Sequence, residues 1–281
     1  MIYKTIDLYE YFGEERPQYA VGRLSCMCVS PLPGVNPDRR NPAVLIIPGG
    51  AYAWVSGREA EPIAFHYLKS GYSAFVLDYA VAPAAYPVAF REAAMAVMYI
   101  REQSAALSVA PDMVTAVGFS AGGHLCGCLA VLTGNGVLDD LTAGREYSPR
   151  PDAVILGYPV ITTGADTHED SANNISGGDP ELRRYLSLER RVDGTAVPAF
   201  IFHTCEDVSV PPANSLMLAL AYERAGVPFA LHIFEKGGHG MSTFDACVYR
   251  SDSIPPHSTR IEDWLDMSVR WLEDRGLRIT D

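Results

Sequence analysis

The chain lacks the features of several large classes of protein. No stretch approaches the roughly 18 uninterrupted apolar residues of a membrane-spanning helix. Basic residues are few, 22 Lys and Arg against 34 Asp and Glu, and the net charge of −12 argues against nucleic acid or an anionic membrane surface as a partner. Residues 1–10 contain no apolar run behind a basic start, so no signal peptide is predicted.

Cysteine is also scarce, and its spacing is uninformative. The 6 cysteines form no C-x-x-C pair and no zinc-ligand pattern, and most of them lie inside apolar runs. We therefore expect reduced thiols, no metal site and a cytoplasmic location.

Apolar runs, by contrast, recur along the chain between segments with helical patterning. Because these runs are continuous and not alternating, they predict strands buried on both faces of a mostly parallel, doubly wound α/β sheet. Alternating residues near the start predict an antiparallel beginning to this sheet. We expect one domain over residues 1–281. The predicted strands are 2–8, 19–29, 42–48, 72–80, 114–119, 152–160, 198–202 and 229–234, and the predicted helices 58–69, 90–103, 125–132, 212–225 and 259–273.

A polar stretch, residues 162–192, interrupts this alternation. It contains no apolar strand and one short helical segment, residues 180–188. Because an insertion of this kind leaves the sheet at the carboxyl ends of the strands, we expect a small lid or pocket wall.

The sequence around Ser120 carries the first sign of chemistry. Gly118-Phe119-Ser120-Ala121-Gly122 is a G-x-S-x-G pattern at a predicted strand-to-helix junction. Such a turn is so tight that the residues flanking the serine need to be glycines. It places the serine hydroxyl at the start of a helix, where the dipole favours developing negative charge. The pattern predicts a nucleophile.

A serine nucleophile needs a base and an acid, which follow it along the chain in proteins with this kind of turn. Asp207 comes directly after a predicted strand and is the favoured acid, with its neighbour Glu206 as the competing choice. His239 lies in a Gly-Gly-His-Gly loop, residues 237–240, after the last strand and is the predicted base.

The oxyanion formed during acyl transfer needs backbone donors. One is predicted to be the N–H of Ala121, the residue after the serine. The others are predicted at Gly50 and Ala51, in the glycine-containing loop after the strand that ends at Pro48.

Together these segments resemble the esterase/lipase-type α/β-hydrolases, in particular the acetyl esterases related to acetylxylan esterases. The similarity extends from about residue 40 to the C-terminus and weakens in the insertion. It is carried by the oxyanion loop 48–52, the Y-x-x-A-P segment within 77–83, the elbow 118–124, the acid turn 203–211 and the histidine loop 237–240.

The resemblance implies an α/β-hydrolase fold and a serine carboxylesterase that uses Ser120, His239 and Asp207 and needs no cofactor. The expected substrate is a small ester or an acetylated oligosaccharide such as a xylo-oligosaccharide. In lipases of the HGGG type, histidine and glycine stand where this chain has Pro48 and Ala51.

From these departures we expect Ala51 and Tyr52 to narrow the acyl pocket in favour of acetyl groups. Tyr52 and Trp54 are candidate pocket residues, and Tyr158 is a third aromatic residue that either stacks on a sugar or packs in the core.

Two other functions compete with this interpretation. A peptidase of the prolyl-oligopeptidase type shares the fold and the triad, but only some forty residues precede the first predicted parallel strand, too few for the large N-terminal domain usual there. A catalytically silent binding protein of the same fold is expected to have lost a triad residue. A homodimer is compatible with the sequence, although no feature requires one.

Overall fold

A single mixed sheet forms the centre of the molecule. The computed structural model describes residues 1–32, 34–250 and 261–279. Its 8 strands lie in the order β1-β2-β4-β3-β5-β6-β7-β8. Their bounds are Ile2–Asp7 (β1), Arg23–Cys28 (β2), Asn41–Ile47 (β3), Ser73–Asp78 (β4), Val109–Phe119 (β5), Ala153–Gly157 (β6), Ala199–Thr204 (β7) and Phe229–Phe234 (β8).

The pairing confirms the predicted sheet. Strand β2 is antiparallel to both β1 and β4, and all remaining neighbours are parallel. Strand β3 is buried at every position, as its unbroken apolar sequence predicts. Because the carboxyl ends of parallel strands share one edge, the loops after β3, β5, β6, β7 and β8 converge there.

Helices cover both faces of the sheet. Apolar residues of α2 and α10 pack on one face, and those of α1, α3, α5 and α9 pack on the other. The helices are Leu8–Phe12 (α1), Glu61–Lys69 (α2), Val88–Glu102 (α3), Ser104–Leu107 (α4), Ser120–Val131 (α5), Asp139–Thr142 (α6), Glu169–Ser176 (α7), Pro180–Tyr185 (α8), Ala213–Ala225 (α9) and Asp263–Asp274 (α10).

Some predicted boundaries are wrong. The helix predicted from residue 125 begins at Ser120, because the elbow itself forms its first turn. Strand β5 begins at Val109 instead of residue 114, with an irregular register against β3 that accommodates the extra residues. The start of the helix predicted over 259–273 lies outside the described residues.

The insertion 162–192 contains two helices, α7 and α8, where the sequence predicts one. Its buried residues, among them Ile175, Leu186 and Leu188, join the core on the α5 side of the sheet. The segment is therefore packed against the body of the protein. Within the described ranges, no helix combines the length and the apolar character that crossing a bilayer requires.

Candidate active site

Ser120 lies at the sharp turn between β5 and α5. Its φ angle of +53° is in the left-handed region, which costs free energy for a residue with a side chain. The turn is closed by the neighbouring glycines: a Cβ on Gly118 would lie 2.3 Å from the carbonyl oxygen of Gly122, and one on Gly122 would lie 2.2 Å from that of Ile47. The G-x-S-x-G pattern is thus a steric requirement of this turn.

Three side chains form a hydrogen-bonded series at the carboxyl edge of the sheet. The Oγ of Ser120 lies 2.8 Å from Nε2 of His239, and Nδ1 of His239 lies 2.6 Å from Oδ2 of Asp207. They come from the turn after β5, the loop after β8 and the turn after β7. A hydroxyl, an imidazole and a buried carboxylate in this order are the arrangement that activates a serine for nucleophilic attack.

The carboxylate of Asp207 is completely enclosed. Its Oδ1 accepts the N–H groups of Ser209 and Val210 at 3.0 and 2.9 Å. Its Oδ2, besides facing His239, lies 3.3 Å from Nε2 of a second histidine, His203. Burial raises the pKa of this carboxyl, but the hydrogen bonds from His203 and His239 outweigh burial and hold the pKa well below its ordinary value.

His203 is a residue that sequence reasoning missed. Its Nε2 also lies 2.9 Å from the carbonyl oxygen of Val210, so it stands between two acceptors and carries a proton. Its Nδ1, 2.8 Å from Oγ of Ser215, then accepts that hydroxyl. The sequence signal is its position: His203 lies one residue before the end of β7, the strand that Asp207 follows.

Glu206, the competing acid, points away from the histidine. It is exposed, and it pairs with Nζ of Lys236 at 2.8 Å and accepts the N–H of Gly237 at 3.1 Å. The turn therefore presents its second carboxylate, that of Asp207, to His239.

The candidate oxyanion donors border the same site. Gly50 has a φ of +125°, and a Cβ there would lie 2.0 Å from the carbonyl oxygen of Trp54. In the described part of the chain, no hydrogen bond uses the N–H of Gly50 or Ala51. The N–H of Ala121 belongs to the first turn of α5, where a helix offers no internal acceptor. These three groups, which we term the oxyanion donors, have no hydrogen-bond acceptor among the described residues.

The placement of Tyr52 corrects the predicted pocket. Its side chain is only 1% exposed, and its hydroxyl lies 2.9 Å from Nδ1 of His124 in the interior. The left-handed backbone of Ala51 and Tyr52 turns the ring away from the cleft and into the core. Tyr52 therefore does not narrow the acyl pocket. Tyr158 is likewise buried and does not face solvent.

Trp54, in contrast, is 60% exposed and lines the cleft. The cleft has a volume of about 360 Å³, and Ser120, His239, Gly50 and Ala51 line it. Most of the remaining lining residues carry polar side chains. These remaining residues are Trp54, Ser56, Arg58, Glu59, His168, Ser209 and Gly240.

His168 is the residue of the insertion that lines this cleft, and sequence reasoning missed it. It caps α7: its Nδ1 accepts the N–H of Ser171 at 3.3 Å. Since Nδ1 is an acceptor, the neutral ring carries its proton on Nε2. That N–H is a donor available to a substrate.

Among the residues described by the structure, no group of three or more His, Cys, Asp or Glu side chains is arranged to hold a metal ion. All 6 cysteines are unbonded, four of them buried, with Cys205 and Cys247 exposed.

Comparisons with known proteins give the site a context. A family model described as BD-FAE matches residues 32–222. The chain is 37% identical over 213 residues to endo-1,4-beta-xylanase B of Butyrivibrio fibrisolvens, in a match covering 74% of this chain and 33% of that protein. It is 28% identical over 227 residues to the acetylxylan esterase of Xylanibacter ruminicola, covering 78% of this chain and 44% of that protein.

The chain thus spans less than half the length of either curated relative. A solved structure matches nearly all of it: the acetyl ester-xyloside bifunctional hydrolase of Caldicellulosiruptor lactoaceticus has a TM-score of 0.82 and 31% identity, covering 98% of this chain and 97% of that one. The architecture is therefore shared over almost the full length of both chains.

Proposed function

The chain belongs to the BD-FAE family and has the α/β-hydrolase fold, and on that premise we propose that it is a serine carboxylesterase that hydrolyses short-chain esters, above all acetyl esters of sugars or xylo-oligosaccharides. One observation carries the proposal. The hydrogen-bonded series from Ser120 through His239 to Asp207 opens into a cleft bordered by free backbone N–H groups.

In the proposed mechanism, His239 takes the proton of Ser120 as the hydroxyl oxygen attacks the ester carbonyl carbon. The oxyanion donors bind the negative charge that develops on the carbonyl oxygen. Asp207 holds Nδ1–H of His239 and stabilises the imidazolium. The imidazolium then protonates the departing alcohol, leaving an acyl-enzyme.

The second half of the reaction reuses the same groups. His239 removes a proton from water, which attacks the acyl carbon, and the imidazolium returns the proton to Ser120 as the carboxylic acid leaves. No other group is required to balance protons or charge.

The size and polarity of the cleft support a short acyl group and a polar alcohol. Its volume of about 360 Å³ is near the lower end for small-molecule sites. Side chains such as Ser56 and Ser209 line it, whereas a long alkyl chain would require an apolar tunnel. Ala51 occupies the position of the third glycine of the HGGG-type loop, and it lines the cleft.

Sugar recognition is supported by two side chains that line the cleft. Trp54 offers an exposed indole face for stacking, and Nε2–H of His168 offers a donor to a hydroxyl. The names of an acetylxylan esterase and an acetyl ester-xyloside hydrolase among the similar proteins favour the same substrate class.

The test is hydrolysis of a matched set of esters by the wild-type chain and by Ser120→Ala. We expect turnover of p-nitrophenyl acetate well above that of the octanoate, release of acetate from acetylated xylo-oligosaccharides, and loss of both activities in S120A. Faster turnover of the octanoate would contradict the short-chain assignment. Activity confined to alkyl esters would contradict the sugar assignment.

A further inference from the structure

A buried carboxylate, that of Glu59, lies in the wall of the cleft and is unused in the mechanism above. Glu59 is 4% exposed and ends a short 3₁₀ turn, Gly57–Glu59, that follows the oxyanion loop. In the described part of the chain its carboxylate meets only neutral donors: Oε2 accepts the N–H of Gly49 at 2.8 Å and Oε1 accepts the hydroxyl of Tyr158 at 2.7 Å. Both oxygens act as acceptors, so the ionised form satisfies every contact.

The bond to Gly49 connects Glu59 to the oxyanion loop and to the nucleophile. Gly49 directly precedes Gly50 and Ala51, which both line the cleft. A Cβ on Gly49 would lie 2.8 Å from Oε2 of Glu59 and 2.9 Å from Cβ of Ser120. The carboxylate, the loop and the serine are therefore in successive contact.

The bond to Tyr158 connects the same carboxylate to the histidine loop. The hydroxyl of Tyr158 accepts the N–H of Ser242 at 3.1 Å, so its own proton is donated to Glu59. Its ring lies edge-on to the imidazole of His239, with centroids 5.1 Å apart at 70°. Ser242 follows His239 by three residues, and its Oγ also donates to the carbonyl oxygen of Arg58.

We propose that Glu59 is a positioning residue that connects the oxyanion loop to the histidine loop. It thereby fixes the positions of the oxyanion donors and His239 relative to Ser120. Its negative charge also favours the imidazolium that forms when His239 takes the serine proton. This inference rests on the proposed function and adds to it a fourth side chain at the centre of the site.

The electrostatics agree with this geometry. Burial raises the pKa of the Glu59 carboxyl, and the hydrogen bonds from Tyr158 and Gly49 and the positive charges of His239 and Arg58 oppose that rise. A negative charge on Glu59 and a positive charge on His239 attract each other by Coulomb's law.

The decisive variant is Glu59→Gln, since an amide has one oxygen for two donors and no charge. We expect kcat for p-nitrophenyl acetate and the rate of fluorophosphonate labelling of Ser120 to fall by about 10²-fold, with little change in KM. We expect the acid limb of the plot of kcat/KM against pH to move to lower pH in E59Q. The variant lacks the negative charge of the Glu59 carboxylate, which favours the imidazolium form of His239. Glu61→Gln, which changes an exposed carboxylate two residues away, is the matched control.

Tyr158→Phe removes the hydroxyl that joins Glu59 to Ser242 but keeps the carboxylate of Glu59 and its hydrogen bond to Gly49. We expect kcat to fall in this variant, because the oxyanion loop and the histidine loop are no longer connected. If E59Q does not fold, Y158F carries the test alone, and an unchanged kcat in Y158F would then overturn the proposal. So would an E59Q protein that unfolds at lower temperature but keeps the wild-type kcat, labelling rate and pH profile.

The two proposals fail in different ways. A wild-type chain that neither hydrolyses esters nor reacts with the fluorophosphonate overturns the proposed function, and the role of Glu59 with it. A wild-type chain that is labelled on Ser120 at the same rate as E59Q overturns only the role of Glu59. The labelling measurement needs no knowledge of the natural substrate.

Discussion

Asp207 is the residue on which the orientation of the candidate base depends. Its Oδ1 is held by two backbone N–H groups, and its Oδ2 lies 2.6 Å from His239. In Asp207→Asn the side chain keeps its shape, but an amide favours the wrong tautomer of His239. We expect kcat to fall by about 10⁴-fold with a near-normal fold, measured with p-nitrophenyl acetate and by circular dichroism.

The neighbouring carboxylate provides the control for that experiment. Glu206 is exposed and pairs with Lys236, so Glu206→Gln should leave kcat near that of the wild type. A large loss of kcat in E206Q together with a small loss in D207N would instead identify Glu206 as the acid that pairs with His239.

Two aromatic residues of one loop are expected to differ in effect, because one faces the cleft and the other the core. Trp54→Ala should raise KM for an acetylated xylo-oligosaccharide by up to about tenfold and leave kcat for p-nitrophenyl acetate unchanged.

Tyr52→Phe should leave substrate preference unchanged but lower the free energy of unfolding by about 1–3 kcal/mol, since Nδ1 of His124 loses its buried partner. A change of acyl-chain preference in Y52F would contradict its placement in the core.

At the scale of elements, a buried histidine connects α5 to the insertion by a hydrogen bond. His124 donates from Nε2 to the carbonyl oxygen of Leu186 at 2.9 Å and accepts the hydroxyl of Tyr52 on Nδ1. Burial lowers the pKa of His124 from 6.5 to about 4. His124 is therefore neutral in the folded protein. We expect its hydrogen bonds to Leu186 and Tyr52 to weaken in acid.

The sign of this effect follows from proton binding. Between about pH 6.5 and pH 4 the unfolded chain binds a proton at His124 that the folded chain does not, so stability is full above this window and is lost as the pH falls. The loss attributable to this group is about 3 kcal/mol. Urea unfolding of wild type and His124→Gln at neutral pH and near pH 4 should show a smaller loss in the variant. Equal losses would contradict the prediction.

An element could be predicted from the sequence when the residues that define it lie close together along the chain. The strands are recognisable as apolar runs, and the elbow is recognisable because its glycines are required within five consecutive residues. Helix α7 was missed because its N-cap is a histidine and not one of the usual capping residues. The contact of Glu59 with Tyr158 joins residues 99 positions apart, and no local pattern encodes such a pair.

At the scale of the whole molecule, one sheet separates two apolar cores. The core on the α5 side includes the insertion, and the core on the α2 side includes α10. All 8 strands belong to this one sheet, and both cores pack against it. We therefore propose that the chain unfolds as a single domain. Thermal unfolding followed by far-UV circular dichroism and by tryptophan fluorescence should give coincident midpoints. Two separated transitions would contradict this proposal.

We propose that acyl transfer passes through Ser120. Rapid acid quenching of the enzyme during turnover of an acetyl ester, followed by mass spectrometry of its peptides, tests this directly. We expect one acetyl group on the peptide that contains Ser120 in the wild type, less of this adduct in variants that replace Asp207 or His239, and none in S120A. An acetyl group on a different residue, or continued hydrolysis by S120A without any adduct, would contradict it.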